Sequence, residues 1–338
     1  MNIKRKLKKL AAAMAAVVAA FAPLGAWADT WTDDDDHVWT YSTNAVSATV
    51  SAVTDAEYDL EIPATLGGKP VVSFGTLFKG NTKISSIVIP NGVTAIAAQA
   101  FDGCSQLQHV TVGSGVTSIG NYAFRNCALL QKIELPEATT TLGIGAFASC
   151  VKLNTAKLPG VTSIPGANDG YNPGSSSFNG YGSFYGCDKL RTLQLSTNLT
   201  YIGRGAFYNC NELYDLVIPD SVTTIDNYAF AECDKLHNLT LGSGLVSVGY
   251  RAFLNDTQLE TLVFLGTSVN WLAAEAFSNC QNLRALNLPN GLNFIGQSCF
   301  YNCDGIQDVV IPDTVTVCTN GAFAYCDASW VESENKCA

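Results

Sequence analysis

Phenylalanine recurs along this chain at a spacing of 23 residues. Phe78, Phe101, Phe124 and Phe147 form one run, Phe184, Phe207, Phe230 and Phe253 a second, and Phe277, Phe300 and Phe323 a third; the runs are separated by one gap of 37 and one of 24. Self-similarity at a fixed period of about 20–50 residues marks a solenoid, in which each unit buries its apolar face only against its neighbours. Eleven anchors exceed the roughly three repeats that such stacking requires. A continuous repeat also overrides the prior of two domains that a chain of this length would otherwise suggest.

The stretch from Cys104 to Phe124, CSQLQHVTVGSGVTSIGNYAF, shows the unit. Leu107, Val110 and Val112 make an L-x-x-L-x-L core, which returns at Leu130, Ile133 and Leu135, at Leu213, Leu216 and Ile218, and at Leu283, Leu286 and Leu288. Its last part alternates as a strand does. Pro90, Gly113, Pro136, Pro219 or Pro289 then follows, and proline, lacking an N–H, stops the ladder. Turn residues come next, such as Asn91-Gly92 or Asp220-Ser221. After a second apolar step, Val116 to Ile119, the Ala-Phe-x-x-Cys segment is predicted as a short helical turn, because Ala123, Phe124 and Cys127 would share one face. Stacked in register, the strands build one parallel sheet. At about 4.8 Å per strand, eleven or twelve coils give a body roughly 55 Å long.

The pattern L-x-x-[IV]-x-[IL]-P-x-x-V-T-x-I-G-x-x-A-F-x-x-C, running over residues 60–326, resembles the BspA-type (treponemal-type) leucine-rich repeat. The expected fold class is therefore an α/β leucine-rich-repeat solenoid with a parallel β-sheet face and short helical turns. Four departures bear on local packing. Asn81 and Asp256 replace the cysteine, Cys299 replaces the alanine, and Cys318 takes an isoleucine position. The resemblance implies a secreted or cell-surface protein, and adhesion or protein binding rather than catalysis.

The termini read differently. Lys4, Arg5, Lys6, Lys8 and Lys9 precede an apolar stretch from Leu10 to Leu24 and an Ala26-Trp27-Ala28 step. This is the pattern of a signal peptide over residues 1–28, cleaved after Ala28. The stretch is short for a membrane span, and no other segment approaches one. Residues 29–59 read as an N-terminal β cap, with Val38–Tyr41 and Ala45–Val53 pairing as a hairpin. Residues 327–338 read as a C-terminal cap or tail, Trp330 covering the last coil. Five of the 19 Lys and Arg lie in the leader, so the remainder carries 14 against 29 Asp and Glu, a net charge of −15. Such a chain has no electrostatic reason to bind nucleic acid or anionic lipid.

Twelve cysteines in an exported protein invite a disulfide framework. Nine of them, however, share one repeat position, from Cys104 to Cys326. Side chains in register point the same way, which keeps their Cβ atoms near 5 Å rather than the roughly 3.8 Å a bridge wants. They are expected to be small buried hydrophobes. Cys326–Cys337 is the one pairing entertained. No C-x-x-C exists, and the three histidines, His37, His109 and His237, are far apart, so no metal and no cofactor is expected. His109 and His237 are placed on equivalent strand positions four or five coils apart, with no nucleophile and base brought together; the chain does not read as an enzyme. The run Asp33-Asp34-Asp35-Asp36-His37 reads as a solvated charge run rather than a calcium loop.

Two surfaces could bind. The 37-residue gap holds an insertion, residues 166–183, rich in Gly, Ser, Asn and Tyr. That composition suits a surface loop and resembles binding loops, with Tyr171, Asn172, Phe178, Asn179 and Tyr181 as candidate contacts. The outward sheet residues, Thr111, Glu134, Lys157, Gln194, Val217, Thr240, Val263, Asn287 and Val310, are the other. The leading expectation is an exported, non-enzymatic protein that binds a host, matrix or neighbouring-cell protein through the sheet face or the loop. The alternative is a carbohydrate- or surface-layer-binding structural protein of the cell envelope, using exposed tyrosines such as Tyr171, Tyr181, Tyr208 and Tyr301.

Overall fold

The structure, a computed structural model, describes residues 28–167, 181–327 and 330–332. The signal-peptide reading therefore falls almost wholly outside the described residues, among which no helix is long and apolar enough to cross a membrane. The rest is a β-solenoid. Each coil contributes one strand of three to five residues and a second of two. The two-residue strands stack into a continuous ten-stranded sheet from Ala95–Ile96 to Val317–Cys318. The longer strands form three further groups, Tyr58–Glu61 to His109–Thr111, Lys132–Glu134 to Thr192–Gln194, and Asp215–Val217 to Trp330–Glu332.

Register follows the repeat. Ile133 pairs with Ala156, 23 residues on, and Ala156 with Leu193 across the insertion. The single extra residue between Phe253 and Phe277 falls after the longer strand: Leu241 still pairs with Phe264 at 23, whereas Ser247 pairs with Trp271 at 24. A sheet in which every side chain keeps its face can absorb such changes only in turns.

Among the described residues there is no helix, and the expected helical turn is replaced by something more regular. In nearly every coil, the residue two before and the residue two after the anchor phenylalanine both have positive φ. Tyr122 (58°) and Asn126 (61°) flank Phe124, and Gln99 (60°) and Gly103 (79°) flank Phe101. A right-handed helix needs φ near −63° throughout, so two left-handed residues within five exclude it. The backbone N–H groups alternate instead. Those of Ala123, Arg125 and Cys127 close tight turns onto Gly120, Tyr122 and Phe124, while those of Tyr122, Phe124 and Asn126 reach Ile144, Ala146 and Ala148 of the next coil. The segment is a third ladder between coils, and the fold class is all-β rather than α/β.

Inside, the anchor rings form a column. Phe78 to Phe323 stack in sequence, with centroids 5.0–5.4 Å apart and neighbouring planes within 15°. That is offset stacking, favoured over direct face-to-face contact. Beside it runs the thiol column. Each Sγ–H donates to the phenylalanine carbonyl of the preceding coil: Cys104 to Phe78 (3.0 Å), Cys127 to Phe101 (3.2 Å), Cys210 to Phe184 (3.4 Å), Cys326 to Phe300 (3.0 Å). Cysteine is small enough for the column and carries a weak donor that the carbonyl can use. Burial pushes the thiols up, Cys104 to about 12 and Cys187, Cys210 and Cys233 well above their ordinary value. Cys326 is a free thiol, so it does not take the pairing with Cys337. Cys318 is disulfide-bonded instead, to a partner outside the described residues.

The two departures from cysteine behave differently. Asn81 Nδ2 donates to the Ala56 carbonyl at 3.0 Å, reproducing the backward link. Asp256 is fully buried; one carboxyl oxygen accepts the Cys233 N–H at 2.8 Å and the other has no hydrogen-bond partner.

At the N-terminus, Asp29–Thr32, Val38–Thr43 and Ala48–Val53 form an antiparallel meander joined through Lys69–Ser73 to the first coil. Trp39 and Tyr41 are buried there. At the other end, Trp330–Glu332 adds a parallel strand beside Asp308–Val310.

Candidate binding surfaces

The outward sheet face is written by the residues that alternate with the core. Its first half is charged: Glu134 lies 3.0 Å from Lys132 and 2.5 Å from Lys157. These ion pairs hold the Glu134 carboxyl below its usual range. Its second half alternates valine with uncharged polar residues. Val217, Val263 and Val310 are 64, 38 and 72 % exposed, on every second strand, with Thr240 and Asn287 between them. Exposed Tyr214 stacks on His237 at 5.1 Å beside this face.

One step before the strands, a shallow groove of about 620 Å³ follows the solenoid axis. One wall carries Leu129, Lys152, Lys189 and Glu212, and the other Gln108, Gln131, Asn154 and Arg191. The second wall is spaced by its own backbone, since Gln131, Asn154 and Arg191 N–H groups bond to the Gln108, Gln131 and Asn154 carbonyls at 2.9–3.2 Å. Glu212 is shared by Lys189 and Lys235 at 3.2 and 2.9 Å. The groove was not foreseen from sequence, because its walls come from residues on both sides of the buried leucine in five coils.

Of the predicted loop residues, Tyr171, Asn172, Phe178 and Asn179 lie outside the described residues. Tyr181 is exposed and packs edge-on against Tyr185 at 5.2 Å, and Tyr185 stacks on Tyr208 at 5.5 Å. The ends of the insertion are fixed to the body: Ser183 Oγ–H donates to the Pro165 carbonyl at 2.8 Å, and Ala167 N–H to the Arg204 carbonyl at 3.0 Å. Further along that edge, Arg251 sits 4.8 Å over Tyr250 and donates to Glu275 at 2.8 Å. Tyr301 is half-buried against Tyr325, so among the described residues the predicted tyrosines Tyr181 and Tyr208 lie apart from Tyr301 rather than in one patch with it.

The remaining candidates are accounted for structurally. Asp33 accepts from the Asp35 and His37 N–H groups and from Trp39 Nε1, at 2.9–3.0 Å, and also contacts His37 Nδ1. Burial raises its pKa, but these hydrogen bonds outweigh that and hold it below the usual range. The acidic run is thus anchored by a turn cap. Among the described residues no group of three His, Cys, Asp or Glu could hold a metal ion. His109 and His237 are not equivalent after all: His109 pairs within the strand ladder with Ser86, whereas His237 sits one position earlier than the ladder residue Asn238. Nε2 of His237 lies 3.0 Å from Glu260, and the column thiols are buried and protonated.

A family model described as the BspA type leucine rich repeat region matches the chain in six copies, over residues 75–167, 177–268 and 212–329. Among solved structures, a leucine rich cell surface protein from Faecalibacterium prausnitzii is 25% identical, covering 92% of this chain and 94% of that one, with a TM-score of 0.45. The leucine rich repeat protein of T. pallidum is 21% identical over 71% of this chain and 91% of its own, TM-score 0.44. One from Bacteroides ovatus is 23% identical over 85% and 91%, TM-score 0.38. No curated protein matches.

Proposed function

The chain belongs to the BspA-type leucine-rich repeat family, and on that premise we propose that it is an exported, non-enzymatic interaction protein. It binds a protein partner, of a host, a matrix or a neighbouring cell, through the outward sheet face. The observation that carries this is the row of Val217, Val263 and Val310, exposed on alternate strands of a rigid parallel sheet. Valine suits a strand by its β-branched shape alone, but three of them exposed in one row of the sheet add up to an apolar strip, and apolar surface rimmed by polar residues marks protein contacts. The 166–183 loop, with Tyr171, Asn172, Phe178, Asn179 and Tyr181, is a second contact, since aromatic side chains dominate binding hot spots. Export through residues 1–28 places the protein outside the cell or on its surface.

The test compares partner recovery by the parent, by a Val217→Asp/Val263→Asp/Val310→Asp variant, and by a protein lacking residues 168–180, with melting followed in each. Loss of recovery in the valine variant alone supports the face. Loss only on loop deletion moves the site to the insertion. Recovery unchanged in both refutes the proposal.

A further inference from the structure

The charge of this protein is unevenly placed. Residues 105–212 hold seven Lys and Arg against five Asp and Glu, a net of +2, whereas the rest of the chain after residue 28 holds seven against 24, a net of −17. The cationic stretch is the part that builds the groove. Among the described residues the side chains of Lys152 and Arg191 form no ion pair or hydrogen bond, and both residues are exposed. Lys189 is only partly neutralised, because its Glu212 is shared with Lys235. Opposite and between these cations stand amides. Among the described residues the side chains of Gln108 and Gln131 have no partner, and Asn154 keeps its N–H₂ group while its oxygen accepts from Thr155.

We propose that this groove binds an anionic polysaccharide lying along the solenoid axis. Its carboxylate or sulfate groups meet Lys152, Lys189 and Arg191, and its hydroxyls meet the amides of Gln108, Gln131 and Asn154. Charge selects the region, since an anionic chain is repelled by the acidic coils on either side and steered to the one cationic stretch. Spacing selects a glycan over an acidic peptide. The coils repeat every ~4.8 Å, while like-facing side chains of an extended peptide repeat every ~6.7 Å and drift out of step within two coils. One sugar ring with its linkage takes about one coil step, so successive residues meet equivalent wall positions. The lining supports the same choice, because Leu129 is its single apolar side chain and peptide anchors need apolar pockets. This site is separate from the valine face, and failure of either leaves the other standing.

The experiment measures binding of the full exported protein to heparin, polygalacturonate, dextran and poly-L-glutamate at low salt and at about 0.15 M ionic strength. Binding to heparin or polygalacturonate, and not to dextran, is expected; which of the two binds distinguishes sulfate from carboxylate. Lys152→Glu/Arg191→Glu should weaken that binding at least about tenfold, or about 1.4 kcal/mol, and Gln108→Ala/Gln131→Ala should weaken it without changing its salt dependence. A charge-matched Lys69→Glu/Lys79→Glu variant should bind as the parent does. The melting temperature of each variant is followed to confirm folding. No binding to either anionic polymer at low salt would overturn the proposal. So would equal loss in the Lys69/Lys79 variant, or poly-L-glutamate binding as tightly as the glycans.

Discussion

Replacing Asp256 with cysteine is expected to stabilise the protein at neutral pH and to flatten its pH dependence. Asp256 stands in the thiol column, fully buried, with one carboxyl oxygen unpartnered. Burial is the main cause that raises its pKa well above 3.8; the Cys233 N–H works against this, and Glu232 and Asp234 add to it. The unfolded carboxyl ionises near 3.8, and the folded one stays protonated to higher pH. The cost is therefore absent below the unfolded value and grows by about 1.4 kcal/mol per pH unit above it, until pH passes the folded value. Cysteine removes this cost and offers its thiol to the Phe230 carbonyl, as other coils do 26 residues back. The Cys233 N–H loses its carboxyl partner but can close onto Phe230, as Cys127 does onto Phe124 at 3.3 Å; weakening that bond gives back about 1 kcal/mol. The net expectation is a loss of about 1 kcal/mol near pH 4, where only the weakened hydrogen bond counts, turning into a gain within about one pH unit above the unfolded value and growing until pH passes the folded value. Urea unfolding of parent and Asp256→Cys across that range, with hydrogen exchange at the Phe230 and Phe253 amides, measures it. Parallel pH profiles for the two proteins, or a variant less stable at neutral pH, would refute the reasoning.

Phe207→Ala opens the ring column between Phe184 and Phe230 and should cost about 3–5 kcal/mol in urea unfolding. Ser298, at φ 54°, should gain about 1 kcal/mol as Ser298→Gly, because left-handed backbone costs a residue with Cβ about that much; thermal melting reads it. Alkylation of the denatured, unreduced protein followed by mass measurement should find the column cysteines free and Cys318 alone among the described cysteines in a disulfide. N-terminal sequencing of exported protein should begin at Asp29.

The repeat made coil number and register readable, because an in-register parallel stack copies sequence spacing directly into strand pairing. Even the 24-residue gap mapped to one turn, after Phe264. The left-handed turns were misread, though their signal was present. The residue before the cysteine position is Gly or Asn in eight of the eleven coils, the two types that tolerate positive φ. An i, i+3 shared face fits a tight turn as well as a helix, and that ambiguity produced the helical expectation. The Asp256 departure was visible, but its burial without a second partner depends on the coil on either side. The groove was hidden for a different reason. Net charge averaged the cationic stretch into an acidic whole, and Lys152 and Arg191 meet only once the 37-residue gap is closed by the pairing of Thr155 with Thr192.

The third ladder has a mechanical meaning. From Ala95–Ile96 onward each coil is tied to the next through its two-residue strand and the Tyr122-type turn bonds, and within each of the three groups through the longer strand as well, all directed along the axis. Tension between the two ends therefore loads these bonds in series, opening one coil at a time rather than shearing the whole body. Each released coil of 23 residues pays out about 80 Å of slack chain, and the coil holding the insertion about 130 Å, at ~3.5 Å per residue. A tether built this way lengthens stepwise under load while its remaining coils keep their shape, and with it whatever they hold.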